Sequence, residues 1–366
     1  MSDIIRVAIV GLGSVVEEHH AFAIDKLVQD GIIKVVAVAD PSIKRVNWLR
    51  ETWGRKWGAM EWLPNGDTLA LQVPIDAAFL FLPPYAHGSV ELALLKRGIP
   101  FFVEKPLGVD LAGPAAIEAA VKDTGVTVSV GFIERTLPWN KALKFFFDNG
   151  GRRGLRAALV QNINPINTLG RWTSYLHKGA GAYIENCIHQ LDLIRFWGFE
   201  PVRVSCFKIE REPMAGINQP WGYSAQYVLD NGATMTLVDT RTLDKLSAPR
   251  REFTLIGDGW LVDRKAGVWG EGRIVKDGQT VAEWKDTPFK DHFYPYYTEL
   301  KAFVDAVRTG DRGGIEADYP EATKTWRATL AAMESAERGG EVVDVASFDD
   351  EKWRGALERS RQSNPY

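Results

Sequence analysis

Residues 4–10 read Ile-Ile-Arg-Val-Ala-Ile-Val, an apolar run that ends in Gly11-Leu12-Gly13 and passes directly into a helical pattern over 15–30. A buried strand that turns on glycines into a helix opens a dinucleotide-binding βαβ unit and leaves few other folds open. Gly11 permits the tight turn, and Gly13 lets the backbone approach a pyrophosphate. The amides of Ser14 and Val15, at the helix N-terminus, then face the anion. Val16 stands where the third glycine of this fingerprint is usual, so the helix should sit slightly outward. A second apolar run over 33–39 ends at Asp40, 27 residues after Gly13. That is near the spacing of the carboxylate that takes hydrogen bonds from an adenosine ribose. A carboxylate there repels a 2′-phosphate, so NAD is expected over NADP, with Ser42, Lys44 and Arg45 partly offsetting the repulsion.

The alternation continues. Strands are expected at 77–82, 101–103 and 126–130, and helices at 43–57, 89–97 and 111–123, which makes a doubly wound parallel sheet. From 155 the pattern changes. Runs at 155–163, 202–211, 222–229, 233–240 and 251–256 read as strands separated by turns such as Asp230-Asn231-Gly232 and Gly257-Asp258-Gly259. With one strong helix at 182–197, this reads as a mostly antiparallel sheet with a helix packed on it. Helices at 296–309 and 320–338 follow, then a polar, partly helical tail from 347. The expected domains are 1–128, an α/β nucleotide-binding half, and 129–366, an α+β half.

Composition narrows the function. A chain of 366 residues suits two domains, and its formal charge of -3 offers no nucleic-acid or membrane surface. No run approaches the roughly 18 apolar residues of a membrane span, and the N-terminus lacks the pattern of a secretory leader. A soluble, cytoplasmic protein is expected. Its two cysteines, Cys187 and Cys206, form no CxxC pair, so no zinc cluster or other metal site is expected.

Three further stretches bear on chemistry. Leu82-Pro83-Pro84-Tyr85-Ala86-His87 follows the third strand, and Glu104-Lys105-Pro106 the fourth. Gly179-Ala180-Gly181-Ala182-Tyr183-Ile184-Glu185-Asn186-Cys187-Ile188-His189 opens the helix of the second half. Together with Gly11-Leu12-Gly13, His19, Tyr297–Glu299 and the 301–310 helix, they resemble the glucose–fructose oxidoreductase/inositol dehydrogenase family (Gfo/Idh/MocA). The resemblance implies a Rossmann domain followed by an open-sheet domain, with the active site between them, and relatives that are dimers or tetramers. An open sheet with one bare face would itself be an association surface, so a homodimer or homotetramer is expected.

The resemblance also implies roles. Lys105 would contact substrate and nicotinamide ribose, and Glu185 and His189 would orient the substrate and move its proton. Leu82, Pro83, His87 and Glu104 would border the cofactor. The residues support this independently. Positions i and i+4 share a helix face, so Glu185 and His189 project to one spot. Lys105 follows the C-terminal end of a strand, where open α/β sheets bind ligands. Removing hydride from a secondary alcohol needs a base for the O–H proton and a cation near the developing alkoxide, which a histidine and a lysine supply. The sequence departs from the family in having Glu185 for the usual aspartate and Leu82-Pro83-Pro84 for the usual Thr-Pro-Asn.

Substrate contacts are expected in 162–179, from Thr168, Arg171, Trp172, His177 and Lys178, and from Arg135 in the first half. Trp172 could stack on a sugar face, while Arg171, His177 and Lys178 suggest an anionic sugar. The expectation is therefore an NAD-dependent oxidoreductase acting on a secondary hydroxyl of a sugar, cyclitol or sugar acid. The alternatives are an NAD-dependent glycosidase working by transient oxidation and elimination, and a non-catalytic NAD sensor.

Overall fold

The computed structural model describes residues 4–165, 172–210, 219–242, 250–265, 271–285 and 293–363. The chain forms two compact units and does not divide at a single cut. The first takes in the chain up to Gly108, Ala112–Thr136 and, much later, the stretch that ends at Thr323. The second takes in Val109–Leu111, Leu137–Pro288 and Lys324 onward.

In the first unit, strands β1 (Ile5–Val10), β2 (Ile33–Ala39), β3 (Glu61–Leu63), β4 (Ala77–Leu80), β5 (Phe101–Glu104) and β6 (Val128–Gly131) form one sheet. Its order is β3-β2-β1-β4-β5-β6, and every neighbouring pair is parallel. This is the doubly wound sheet expected. The strand order reverses at β1, and the loops at the C-terminal ends of β1 and β4 flank that switch point, where such sheets bind ligands. Val16 is fully buried, and the helix after the glycine turn accommodates it with a wider π turn over Val16–His20 before continuing as Ala21–Gln29. Helix Tyr294–Thr309 joins this unit because Leu300, Phe303 and Val304 form an apolar stripe at i, i+3 and i+4. The Phe303 ring lies 6.1 Å from Phe79 and 6.4 Å from Phe102. Burying each such side chain contributes about 1.5–3 kcal/mol.

The second unit holds β7 (Leu155–Pro165), β8 (Pro201–Ile209), β9 (Gly222–Leu229), β10 (Thr234–Thr242), β11 (Arg250–Gly257), β12 (Trp260–Arg264), β13 (Gly272–Lys276), β14 (Gln279–Trp284) and β15 (Val343–Asp344). The order is β14-β13-β12-β11-β7-β10-β9-β8-β15. Among the described residues only β7 and β10 pair in parallel, so the sheet is mostly antiparallel, as expected. Asp230-Asn231-Gly232 joins β9 to β10, and Asp258-Gly259 joins β11 to β12. Strands β12 to β14 go beyond the sequence expectation, although Asp277-Gly278 between β13 and β14 is a strong hairpin signal. Helix Pro138–Asp148, with proline in its first turn, was not anticipated either.

One face of this sheet is covered by helix Gly181–Phe196. Tyr183, Ile184, Cys187, Ile188, Leu191 and Ile194 are fully buried there, and the Tyr183 and Tyr227 hydroxyls meet at 3.1 Å. On the opposite face Leu159, Ile256 and Phe207 remain exposed. Among the described residues no helix is long and apolar enough to cross a membrane.

Candidate active site

The nucleotide site is built on the β1 turn. Gly11 has φ +90°, and a Cβ there would lie 2.3 Å from the Phe81 carbonyl oxygen. Only glycine permits that approach between the turn and the end of β4. The Gly11 N–H donates to the Ala39 carbonyl at 2.8 Å. Asp40 is nearly buried, and its carboxylate accepts from the Leu12 N–H at 2.7 Å and from the Ser42 N–H at 2.7 Å. It therefore pins the glycine turn, and each carboxylate oxygen keeps a further lone pair for a ribose hydroxyl. Arg45 donates from Nη1 to the Leu12 carbonyl at 2.6 Å, and the same atom lies 3.4 Å from where a Gly13 Cβ would stand. Exposed Ser14 and half-buried Gly13 and Val15 form the accessible lip of the helix N-terminus. The pinned turn, the bare glycine backbone, the acceptor and the helix N-terminus together fit a dinucleotide.

Beyond β4, Leu82 and Pro83 are half-buried. His87 is engaged on the following helix, with its Nδ1 2.5 Å from Glu91 Oε1. Burial alone would raise the Glu91 carboxyl. The His87 charge, with hydrogen bonds from His87 and the Gly88 N–H, outweighs burial and holds it below the usual range.

Glu104 is the last residue of β5, and Lys105 follows it in the bend beyond the strand. Glu104 points into the core, where its Oε1 lies 2.8 Å from His20 Nε2. It can do so because its neighbour on β6 is Gly131, where a Cβ would stand 2.8 Å from Glu104 Oε1. Lys105 is half-buried. Arg135 also turns inward: its side chain is nearly buried, donates to the Glu316 carbonyl at 2.7 Å and pairs with Glu321 at 3.4 Å. The structure uses it as a tie within the first unit.

In the second unit the chain breaks between the short helix Leu176–Gly179 and Gly181–Phe196, with Ala180 in the left-handed region at φ 55°. The longer helix then carries Glu185 and His189 one turn apart. Both are part-exposed, while Cys187 and Ile188 between them are sealed against the sheet. The helix also rests on a polar row that sequence reasoning missed. Asn162 donates from Nδ2 to Asp239 at 2.6 Å and contacts Cys187 Sγ at 3.8 Å. Burial pushes the Asp239 carboxyl up to about 6, with Arg241, Asn162 and Arg251 opposing. Alternation along β7 and β10 could have indicated it, since Asn162 and Asp239 are in register and interrupt otherwise apolar inward positions.

Thr168 and Arg171 lie outside the described residues. Trp172 is half-buried, and Lys178 lies over the Tyr175 ring at 5.7 Å. His177 is buried against helix Glu351–Ser363, with Nδ1 3.0 Å from Ser360 Oγ. Burial first, then Lys178 and Arg361, lower its pKa. It is therefore poorly suited to serve as a cation for an anionic ligand.

Residues 5–132 match the family model GFO_IDH_MocA, described as an oxidoreductase family with an NAD-binding Rossmann fold. The chain is 28% identical to inositol 2-dehydrogenase 1 of Mycolicibacterium vanbaalenii over 288 residues, covering 75% of this chain and 79% of that protein. It is 26% identical to inositol 2-dehydrogenase of an Arthrobacter species over 366 residues, covering 94% and 97%. In fold it resembles scyllo-inositol dehydrogenase from Lactobacillus casei, solved with NAD(H) and scyllo-inositol, with TM-score 0.74, 21% identity and coverage of 94% and 100%. The pinned glycine turn and the strand-end Glu104-Lys105 thus lie within residues 5–132, the stretch that matches an oxidoreductase family with an NAD-binding Rossmann fold, and the chain at large is similar to inositol dehydrogenases.

Proposed function

We propose that this enzyme interconverts a secondary alcohol and a ketone on a neutral polyhydroxylated ring, a cyclitol or a sugar. The observation that carries this reading is the Glu185/His189 pair, one turn apart and part-exposed on a helix otherwise locked to its sheet. His189 takes the hydroxyl proton, and Lys105 places a positive charge at the oxygen as alkoxide character develops. Glu185 accepts from neighbouring hydroxyls and sets which carbinol is presented. NAD, when bound, takes up the hydride. A neutral ring is favoured over an anionic one because His177 is engaged with Ser360 and its pKa is lowered. The relatives named as inositol dehydrogenases support the same class.

The test is a panel of cyclitols, aldoses and sugar acids read by NADH absorbance, with NAD and NADP in parallel. A neutral polyol is expected to yield NADH in step with ketone, and NAD to be preferred. Asp40→Ala should narrow the gap between cofactors, since Ser42, Lys44 and Arg45 remain. No NADH from any member, with aglycone released from glycosides instead, would sink the proposal.

We also propose that copies associate through the open face of the nine-stranded sheet, where Leu159, Ile256 and Phe207 are exposed. Light scattering at micromolar concentration should give a dimer or tetramer, and Leu159→Lys should shift it toward monomer. A monomeric wild-type protein would refute this.

A further inference from the structure

Three ionisable side chains converge in the interior of the first unit behind Lys105. His20 comes from the π turn after the glycine loop, Glu104 from the end of β5, and Glu299 from helix Tyr294–Thr309. All are buried, with exposures of 0%, 6% and 8%. One nitrogen or oxygen from each lies within 4.8 Å of the other two. The His20 ring is packed against Phe81 at 4.3 Å and Tyr296 at 4.9 Å. Glu299 Oε1 is buried and accepts no hydrogen bond.

Two ionised carboxylates this close in an apolar interior would repel strongly and would each lack hydration. Two arrangements relieve that, a bound cation or a bound proton. His20 Nε2 and Glu104 Oε1 stand 2.8 Å apart, a hydrogen-bond distance. Two ligands of a tetrahedral ion would be separated by about 3.4 Å. The spacing therefore favours a proton. His20 already satisfies Glu104, so the carboxyl with the unmatched oxygen, Glu299, is the one left to carry it.

We propose that Glu299 is held as the neutral acid, and that with His20 it is a positioning residue that keeps the Glu104 carboxylate, and so the strand end bearing Lys105, in place. The role for Lys105 rests on the function proposed above; the protonation of Glu299 does not. Burial first, and the Glu104 charge second, raise the Glu299 carboxyl well above the usual range. Tyr296, one turn away on the same helix, stacks on His19 and feels Glu104, Glu299, Glu18 beside His20 and Glu134 after β6. The Tyr296 phenol is itself raised by burial and by these carboxylates.

The sign follows. A carboxyl raised in the folded state favours the fold below its ordinary value and loses that contribution as pH rises through the raised value. Loss of the proton sets Glu299 against Glu104 and loosens the strand end. Turnover should therefore show an alkaline decline, which Glu299→Gln moves upward by about one pH unit or more, because glutamine cannot ionise. A misplaced catalytic group commonly costs about tenfold to a hundredfold in rate, so the decline should be plain.

The experiment has two arms on the full-length protein. Infrared difference spectroscopy on the wild type at neutral pH should show a protonated buried carboxyl band, unchanged by chelator and absent from Glu299→Gln. The pH profile of kcat should shift as stated. Absence of the band, or a stoichiometric divalent metal in the purified protein, would overturn the protonation. A band with identical alkaline limbs in both proteins would overturn the positioning role. If Lys105→Ala keeps its turnover while the band persists, the functional reading fails and the protonation stands.

Discussion

Lys105→Ala and His189→Ala should each lower kcat by a factor of about 10² or more, the loss expected when a positioned group that moves or stabilises a proton is removed. NAD affinity should change far less, because the glycine turn and Asp40 are built on β1 and β2 and use neither residue. The two side chains occupy different units and come from different elements, a strand end and a helix. A shared kinetic defect without a shared stability defect is therefore the mark of a common chemical role. Steady-state kinetics on the substrate identified by the panel, with calorimetric NAD titration and thermal melts of each variant, would read all three. Near-full turnover in both variants would show that the assigned chemistry is wrong.

Gly11→Ala should be the most damaging single change in the nucleotide site. The residue sits at φ +90°, and the new Cβ would lie 2.3 Å from the Phe81 carbonyl oxygen, which is backbone and cannot swing away. Backbone strain alone costs about 1–3 kcal/mol, and the collision adds to it. The expected result is a markedly lower unfolding midpoint together with lost NAD binding. Gly13→Ala supplies the contrast. Its added methyl meets only the end of the Arg45 side chain at 3.4 Å, and its φ is not positive. The fold should survive within about 1 kcal/mol, as for a substitution without a large steric penalty. NAD affinity should nevertheless fall, because the methyl occupies the approach of the pyrophosphate. Equal stability of Gly11→Ala and the wild type would contradict the turn geometry, and unimpaired NAD binding by Gly13→Ala would contradict the site.

Much of the site was legible because local rules govern it. A glycine turn between strand and helix, an acidic residue at the end of the next strand, and an i, i+4 pair on a helix are patterns of neighbouring residues. His20 and Glu299 carried no comparable signal. His20 is adjacent to His19, and nothing in the sequence tells which imidazole faces the sheet. The structure turns His20 into the interior, fully buried, and leaves His19 half-exposed against Tyr296. Glu299 is one of many acidic residues on amphipathic helices, ordinarily read as a solvated face, until helix Tyr294–Thr309 is seen to pack on the first sheet. His177 shows the converse: a histidine among cations suggests an anion site, and its engagement with Ser360, 183 residues away, becomes visible only in the fold.

The sequence by itself determined the alternation of strands and helices, the parallel character of the first sheet, the mostly antiparallel second one, the dinucleotide turn and the acidic residue that closes it. These follow from the periods of the two secondary structures and from backbone sterics, which act over a few residues. Only the tertiary structure decided that residues near 300 return to complete the first core, that Glu104 is turned inward while Lys105 is not, and which carboxyl is left without a partner. Those outcomes depend on the burial of surfaces contributed by segments some 200 residues apart, and a linear pattern carries no record of which buried surfaces meet.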